Sequence, residues 1–356
     1  KFNLSKKILA WYDNNHRILP WRVSKNSSKN LYYRVLSEFM LQQTQVKTVI
    51  PYYNKWIDRF PTIESVSNAC EDEVLKYWEG LGYYSRVRNF QSACKIIQNK
   101  HKGKIPTEAN DFLKLKGVGK YICAAVLSIG LNKKIPVIDG NVKRVVSRFL
   151  NLKNEINKEV NNIFLFLSRE ISVFAKPGDF NQAIMDLGRL ICKPKNPNCN
   201  QCPLKKNCIS LKKDMVLEIP NKNRKAKKPH YKTIVTVIEK NNRILLCKRN
   251  KKGLLGGMWE LLNGRIKSKE TQKNALQRIL NYYGFKIDSE YFIGTLKHQY
   301  SHFSIEQKSY KCLYKSGNLT SDEHSEYKWI SFDEKNNYPI HIASQKILNK
   351  MKEKKL

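Results

Sequence analysis

Leu115-Lys116-Gly117-Val118-Gly119-Lys120-Tyr121 joins two stretches that repeat apolar residues at spacings of three and four, so the chain turns tightly between helices here. Two glycines one residue apart let backbone N–H groups approach an anion, and the helix that follows presents its positive end to the same point. These seven residues suit a helix-hairpin-helix anchor for a backbone phosphate, and equally a plain helix-joining turn. Outward from the turn the helical spacing continues. Tyr32, Val35, Leu36, Phe39 and Met40 form one apolar stripe; Val142, Val145, Val146, Phe149 and Leu150 form another, after Asp139-Gly140-Asn141 as a capped start. Residues 1–210 therefore read as all-α, with the hairpin at about 111–125.

The 356-residue chain carries 66 Lys plus Arg against 30 Asp plus Glu, a net +36. Such a charge repels itself unless a polyanion or counterions offset it, so nucleic acid is the expected partner; a general drift toward Lys, Asn and Ile is the alternative. Charge does not separate DNA from RNA. No apolar run approaches the roughly 20 residues of a membrane span, so a soluble multi-domain protein without a membrane partner is expected. The chain opens without a signal-like segment, which points to a reducing cytoplasm where disulfides are rare.

Cys192, Cys199, Cys202 and Cys208 lie within 17 residues, with six, two and five residues between them, while the other five of the nine Cys are scattered singly. Four soft sulfurs at that density describe one metal centre. Only Cys199 and Cys202 form the paired unit that compact zinc sites prefer. The asymmetry leans toward an iron–sulfur cluster, but spacing alone leaves zinc open.

Beyond the cysteines, residues 211–230 read as a basic linker, because the stretch from Pro220 to Pro229 carries Lys222, Arg224, Lys225, Lys227 and Lys228 and few apolar side chains. From 231 to 356 the pattern becomes β-rich. Runs at 233–238 and 243–248 flank an Asn241-Asn242 turn, further runs occupy 291–297 and 304–314, and amphipathic helices lie near 270–282 and 340–352. This half reads as a smaller α+β domain. There is no internal repeat and no low-complexity segment.

Two acids stand out by position. Asp139 alone is an ordinary helix N-cap. Glu38 shares a helix face with Arg34, Gln42 and Gln45, away from the apolar stripe, and periodicity makes it a solvated surface acid.

Taken in order, these signals resemble the MutY family of adenine DNA glycosylases, in the helix-hairpin-helix superfamily that also includes endonuclease III. The resemblance covers nearly the whole chain. It rests on Leu19-Pro20-Trp21-Arg22, Ser37-Glu38-Phe39-Met40-Leu41-Gln42-Gln43-Thr44-Gln45 and Trp78-Glu79-Gly80-Leu81-Gly82-Tyr83-Tyr84-Ser85-Arg86. Further matches are Gly117-Val118-Gly119-Lys120-Tyr121, Val137-Ile138-Asp139-Gly140-Asn141-Val142 and Phe180-Asn181-Gln182-Ala183-Ile184-Met185-Asp186-Leu187-Gly188. It implies a multi-domain fold: all-α helix-hairpin-helix glycosylase domains with a [4Fe–4S] cluster loop, then an α+β Nudix-like domain.

The resemblance also implies roles. Glu38 protonates the Hoogsteen-edge nitrogen of adenine and Asp139 stabilises or bonds the sugar cation, a division in which Glu38 has a raised pKa and Asp139 stays ionised. Tyr121 and Asn141 order these carboxylates. Gln43, Leu81 and Tyr83 offset the cost of base flipping as a wedge; Trp21, Arg22 and Gln182 wall the pocket; Gly117 and Gly119 meet the DNA backbone. The four cysteines hold one [4Fe–4S] cluster, folding Lys193, Lys195, Lys205 and Lys206 into a basic loop. Tyr300-Ser301-His302 stands where the family has Phe-Ser-His for reading 8-oxoguanine. The stretch Thr271–Leu280 lacks the carboxylates of a working Nudix helix beyond Glu270, so hydrolysis is not expected.

The implied substrate is double-stranded DNA with adenine opposite 8-oxoguanine or guanine, the implied protein a monomer at the nucleoid. Two departures bear on this: the segment between Arg22 and Tyr32 is long and Ser-, Lys- and Asn-rich, and the C-terminal half diverges. The alternatives are a bifunctional endonuclease III-like lyase and a non-catalytic DNA-binding protein. The lyase uses a Lys two residues after the second hairpin Gly, where this chain has Tyr121. Borohydride treatment during turnover should therefore trap no stoichiometric lysine–DNA adduct; efficient trapping would overturn the monofunctional expectation.

Overall fold

In this computed structural model the described residues are 4–22, 29–172, 176–221 and 228–354, with the side chains of residues 29 and 30 left aside. The chain forms two compact units. One comprises Lys1–Asn68 and Asn89–Lys225, the other Ala69–Arg88 and Ala226–Leu356.

The first unit is helical. Its Lys29–Leu41 helix buries the expected stripe, with Tyr32, Val35, Leu36, Phe39 and Met40 all at 4% exposure or less. The opposite expectation for Glu38 fails: it is 9% exposed, and Arg34 and Ser37 on the same helix are buried as well. The cause is packing on several sides, since this helix meets Val46–Arg59, Lys120–Ala125 and the π-helical turn Val126–Gly130. Periodicity finds one apolar face; it does not show that the other is also covered.

The Gly140–Leu150 helix packs Val142, Val145 and Val146 into a core with Ile8, Phe180, Ile184 and Leu187. In the hairpin, Gly117 has φ +82°, and a Cβ there would lie 2.7 Å from Asn89 Cβ and 2.9 Å from Phe39 Cε1. Only glycine meets both demands. Gly119 is extended, faces open space and N-caps the Lys120–Ala125 helix.

Part of the expected linker belongs to this unit. Ile219 is buried, and its carbonyl accepts from Arg148 Nε at 2.8 Å. Residues 222–227, with four of the basic residues expected there, and residues 23–28 of the long Ser-, Lys- and Asn-rich segment, lie outside the described residues.

The second unit is built on a mixed seven-stranded sheet: β1 (His230–Lys240), β2 (Arg243–Arg249), β3 (Trp259–Glu260), β4 (Leu262–Arg265), β5 (Phe285–Gln299), β6 (Ser304–Gly317) and β7 (His324–Ser331). The order is β3-β2-β1-β6-β5, with β4 beside β1 and β7 beside β2; β1 and β6 run parallel. β1 is buried continuously from Thr233 to Ile238 because helices cover both faces. Ile234 and Ile238 point toward the Gln272–Tyr282 helix, Val235 and Val237 toward Ile342–Glu353.

Residues 69–88 join this unit through the Glu71–Trp78 helix and the loop after it. Lys248 Nζ pairs with Asp72 Oδ1 at 2.6 Å, Lys76 Nζ donates to the Tyr338 carbonyl at 3.0 Å, and Gln345 donates to Glu79. No helix among the described residues is long and apolar enough to cross a membrane.

Candidate active site

A cavity of about 320 Å³ in the first unit gathers residues from five elements. The Lys29–Leu41 helix brings Glu38, the helix after the hairpin brings Tyr121, and the start of Gly140–Leu150 brings Asp139 and Asn141. The Leu19–Arg22 turn supplies Trp21 and Arg22, and the Pro177–Leu190 helix supplies Gln182; Gln43 stands at the wall. Trp21 is 5% exposed and packs edge-on against Tyr53, so it serves the core and the cavity at once. Asn181 fixes the approach to Asp139: its Oδ1 accepts from Val137 N at 3.0 Å, and its amide donates to Ile135 O at 2.9 Å.

The two acids sit in different surroundings. Burial pushes the Glu38 pKa up to about 7; the Tyr121 hydrogen bond opposes this, the nearby Asp139 charge adds to it, and Arg34 and Arg22 pull it down. Glu38 Oε2 is buried with no hydrogen-bond partner among the described residues, an oxygen well placed to carry a proton. Asp139 has both oxygens engaged: Oδ1 accepts from Val142 N at 2.7 Å and Oδ2 from Asn141 Nδ2 at 2.8 Å. Burial raises its pKa too, but those bonds and Arg144 oppose the rise.

A chain of arginine contacts runs from Asp139 to the cysteine loop. Asn141 Oδ1 accepts from Arg144 Nη2 at 2.9 Å, and Arg144 also donates to Gly188 O at 2.7 Å and Cys192 O at 2.8 Å. One turn on, Arg148 donates to Lys193 O at 2.7 Å and to Cys192 Sγ at 3.4 Å. Cys192, Cys199, Cys202 and Cys208 line a single small cavity of about 30 Å³ with Ile191 and Leu211. Among the described residues no three His, Cys, Asp or Glu side chains close on a single ion. Four thiols around one apolar space nevertheless suit a sulfur-ligated group, while Lys193, Lys195, Lys205 and Lys206 are exposed around them.

The second unit has its own cavity, about 380 Å³, between residues 80–85 and residues 298–303. Tyr83 donates to Ser301 Oγ. Tyr300 N donates to Phe303 O at 2.8 Å, closing a tight turn that leaves Ser301 and His302 exposed. Tyr300 packs between His298 and Phe303 at centroid distances of 4.6 and 4.7 Å, and burial pushes its pKa to about 12. Leu81 is buried, and Arg86 Nη2 donates to the carbonyls of Leu81 and Gly82. Gln43 and Tyr83 both occupy the left-handed region, at φ +57° and +50°, a conformation costing roughly 1 kcal/mol or more in a non-glycine residue.

Sequence reasoning gave no role to three groups of this architecture. Arg34 and Arg17 line the first cavity, and Asp186 is wholly buried behind it. In the second unit Glu260 is buried; His324, His341 and Arg249 hold its carboxyl well below the usual range although burial opposes them. Arg34 shares a helix with Glu38, but the arginines on Asp186 and the histidines on Glu260 come from stretches 64 to 169 residues away, which the linear pattern does not mark.

Comparison with known proteins agrees with the geometry. Residues 36–168 match the family model "HhH-GPD superfamily base excision DNA repair protein" and residues 233–350 that of the NUDIX domain. The chain is 35% identical to the adenine DNA glycosylase of Buchnera aphidicola subsp. Schizaphis graminum over 97% of each chain. With the adenine DNA glycosylase of Rattus norvegicus it shares 30% over 96% of this chain and 76% of that one. A solved thermostable thymine-DNA glycosylase superposes with a TM-score of 0.53 at 26% identity, over 59% of this chain and 95% of that one.

The surroundings of Glu38 make a direct prediction. Carbon-13 NMR of the carboxyl should show a midpoint near 7. Tyr121→Phe should raise it by removing a hydrogen bond to the carboxylate, and Asp139→Asn should lower it by removing a like charge. Because the folded pKa lies above the unfolded one, Glu38's contribution to stability is complete below about 4.5 and lost as pH rises through about 7. A midpoint between 4 and 5 would sink this reading.

Proposed function

The chain belongs to the adenine DNA glycosylase family, and we propose that it excises adenine opposite 8-oxoguanine or guanine from duplex DNA, with Glu38 as acid and Asp139 as partner of the sugar cation. It is a DNA N-glycosylase of base excision repair. The observation that carries the assignment of roles is the contrast between the acids: one carboxyl lifted to about 7 with an unengaged oxygen, the other fixed through both oxygens.

Adenine leaves poorly as an anion. A proton passing from Glu38 to its Hoogsteen-edge nitrogen lets the base take the glycosidic bond's electron pair and depart neutral. The sugar is left as an oxocarbenium-like cation, which Asp139 meets with its charge or bonds at carbon. Water then adds there and loses a proton, and an abasic site remains. Tyr121 and Asn141 keep the two carboxyls in place, and Trp21, Arg22 and Gln182 hold the flipped base. No lysine occupies position 121, so the action is monofunctional.

Backbone anchoring falls to Gly117 and Gly119 with the positive end of the following helix. Gln43, Leu81 and Tyr83 fill the space the base vacates, and Tyr300, Ser301 and His302 read 8-oxoguanine; the Tyr83–Ser301 bond supports a joint role in the second unit. That unit recognises rather than hydrolyses. Its Gln272–Tyr282 helix has no acidic side chain, and Glu270 is engaged by Arg278 at 2.7 Å. Cys192, Cys199, Cys202 and Cys208 would hold a [4Fe–4S] cluster, supplying a covalent brace for the basic loop. We place the protein's work at the nucleoid as a monomer, its +36 charge offset by DNA.

Single-turnover reactions on duplexes with adenine opposite 8-oxoguanine, adenine opposite guanine, or oxidised pyrimidines test the assignment. Breaks should appear only with mispaired adenine and only after alkali, and Glu38→Gln should abolish them while duplex binding persists. No product from any duplex, or excision by Glu38→Gln, would refute it. Anaerobically purified protein should carry about four iron and four labile sulfide per chain; stoichiometric zinc instead would refute the cluster.

A further inference from the structure

Asp186 is an acid with no solvent exposure, and the mechanism above does not use it. Its Oδ1 accepts from Arg17 Nε at 2.8 Å and lies 2.6 Å from Arg17 Nη2, while its Oδ2 accepts from Arg22 Nη1 at 2.7 Å. Arg22 Nη1 is further tied to the Arg17 carbonyl at 3.1 Å. Both arginines line the cavity that contains Glu38. One buried carboxylate thus holds two guanidiniums from the turn after the first helix against the Pro177–Leu190 helix.

We propose that Asp186 is a positioning residue that clamps Arg17 and Arg22 as a pair on the cavity wall and offsets their charge beside Glu38. The proposal rests on Glu38 being the acid. Charged and titratable groups reach the cavity and its arginines from the packed elements: Arg34 from Glu38's own helix, Tyr121 from the hairpin helix, Asp139 from the next helix start, Arg17 and Arg22 from the first turn, Tyr12 from the first helix with its ring 5.9 Å from the Arg22 guanidinium, and Asp179 and Arg189 from the helix that carries Asp186. With Glu38 protonated, Arg17, Arg22, Arg34 and Arg189 still outnumber Asp139, Asp179 and Asp186. Removing its charge leaves two arginines uncompensated, and Arg22 already favours the ionised form of Glu38. An acid that ionises too early cannot donate its proton at neutral pH.

The test is the pH dependence of single-turnover adenine excision by the full chain. The natural sequence should lose rate as pH rises through about 7. Asp186→Asn should move that fall about one pH unit lower, cutting the rate at pH 8 by about tenfold, with duplex affinity changed less than about twofold. Adding Arg17→Met removes one cation along with the lost anion and should move the fall back, whereas a merely structural defect would remain. Should Asp186→Asn fail to fold, Arg17→Met alone should move the fall upward, because Asp186 is then undercompensated. An unmoved fall in Asp186→Asn, no reversal in the double variant, or an unmoved fall in Arg17→Met overturns the proposal. A natural sequence with no fall near 7 refutes the role of Glu38 instead, so the two failures are distinguishable.

Discussion

A single hydrogen bond, 2.7 Å from the Val142 N–H to Asp139 Oδ1, sets the frame of the site. It is an N-cap, and N-caps are common. Here the cap decides where a carboxylate points, because fixing Oδ1 leaves Oδ2 to Asn141 and so engages both oxygens. The same helix then carries Arg144 and Arg148 along one side, each bonded to the cysteine loop. Asp139 and Cys192 are thus placed by one rigid element, although 52 residues of sequence separate them. The loop needs the helix as much as the helix start needs the loop.

The electrostatics of Glu38 run against the composition of the chain. In a protein of net +36 the general field favours ionised carboxylates, and Arg34 and Arg22 act locally in the same direction. Desolvation wins. A rise from 4.5 to about 7 corresponds to roughly 3 kcal/mol favouring the neutral form. The hydroxyl of Tyr121 trims that preference without reversing it, so the group can change state near neutrality. A surface acid on the same helix would have no such property, however close to DNA.

The helical half was legible because its signals are local: stripes of apolar residues, an Asp-Gly-Asn start and a Gly-Val-Gly turn each depend on near neighbours. The longer strands β1, β2, β5 and β6 were legible for the same reason. β3, β4 and β7 were not, since β3 has two residues, β4 contains Gly264 in Leu262–Arg265, and β7 follows a polar stretch. The burial of Glu38 could not be read from its own helix, because it is made by helices far along the chain. Family motifs named Glu38, Tyr121, Asp139 and Asn141, and the fold brings all four to one cavity. Asp186 lay within a quoted motif but gave no sign of the two arginines that turn toward it from more than 160 residues away.

The second compact unit is stitched from two separated stretches of chain, Ala69–Arg88 and Ala226–Leu356. The C-terminal stretch therefore does not complete that unit by itself. A gene cut there would strand Asp72, Glu79 and Tyr83 without Lys248, Gln345 and Ser301. The remaining fragment would carry a helix and loop shaped for a sheet it no longer had. Loss of the C-terminal half would thus be a lesion in the middle of the N-terminal half, at residues 69–88.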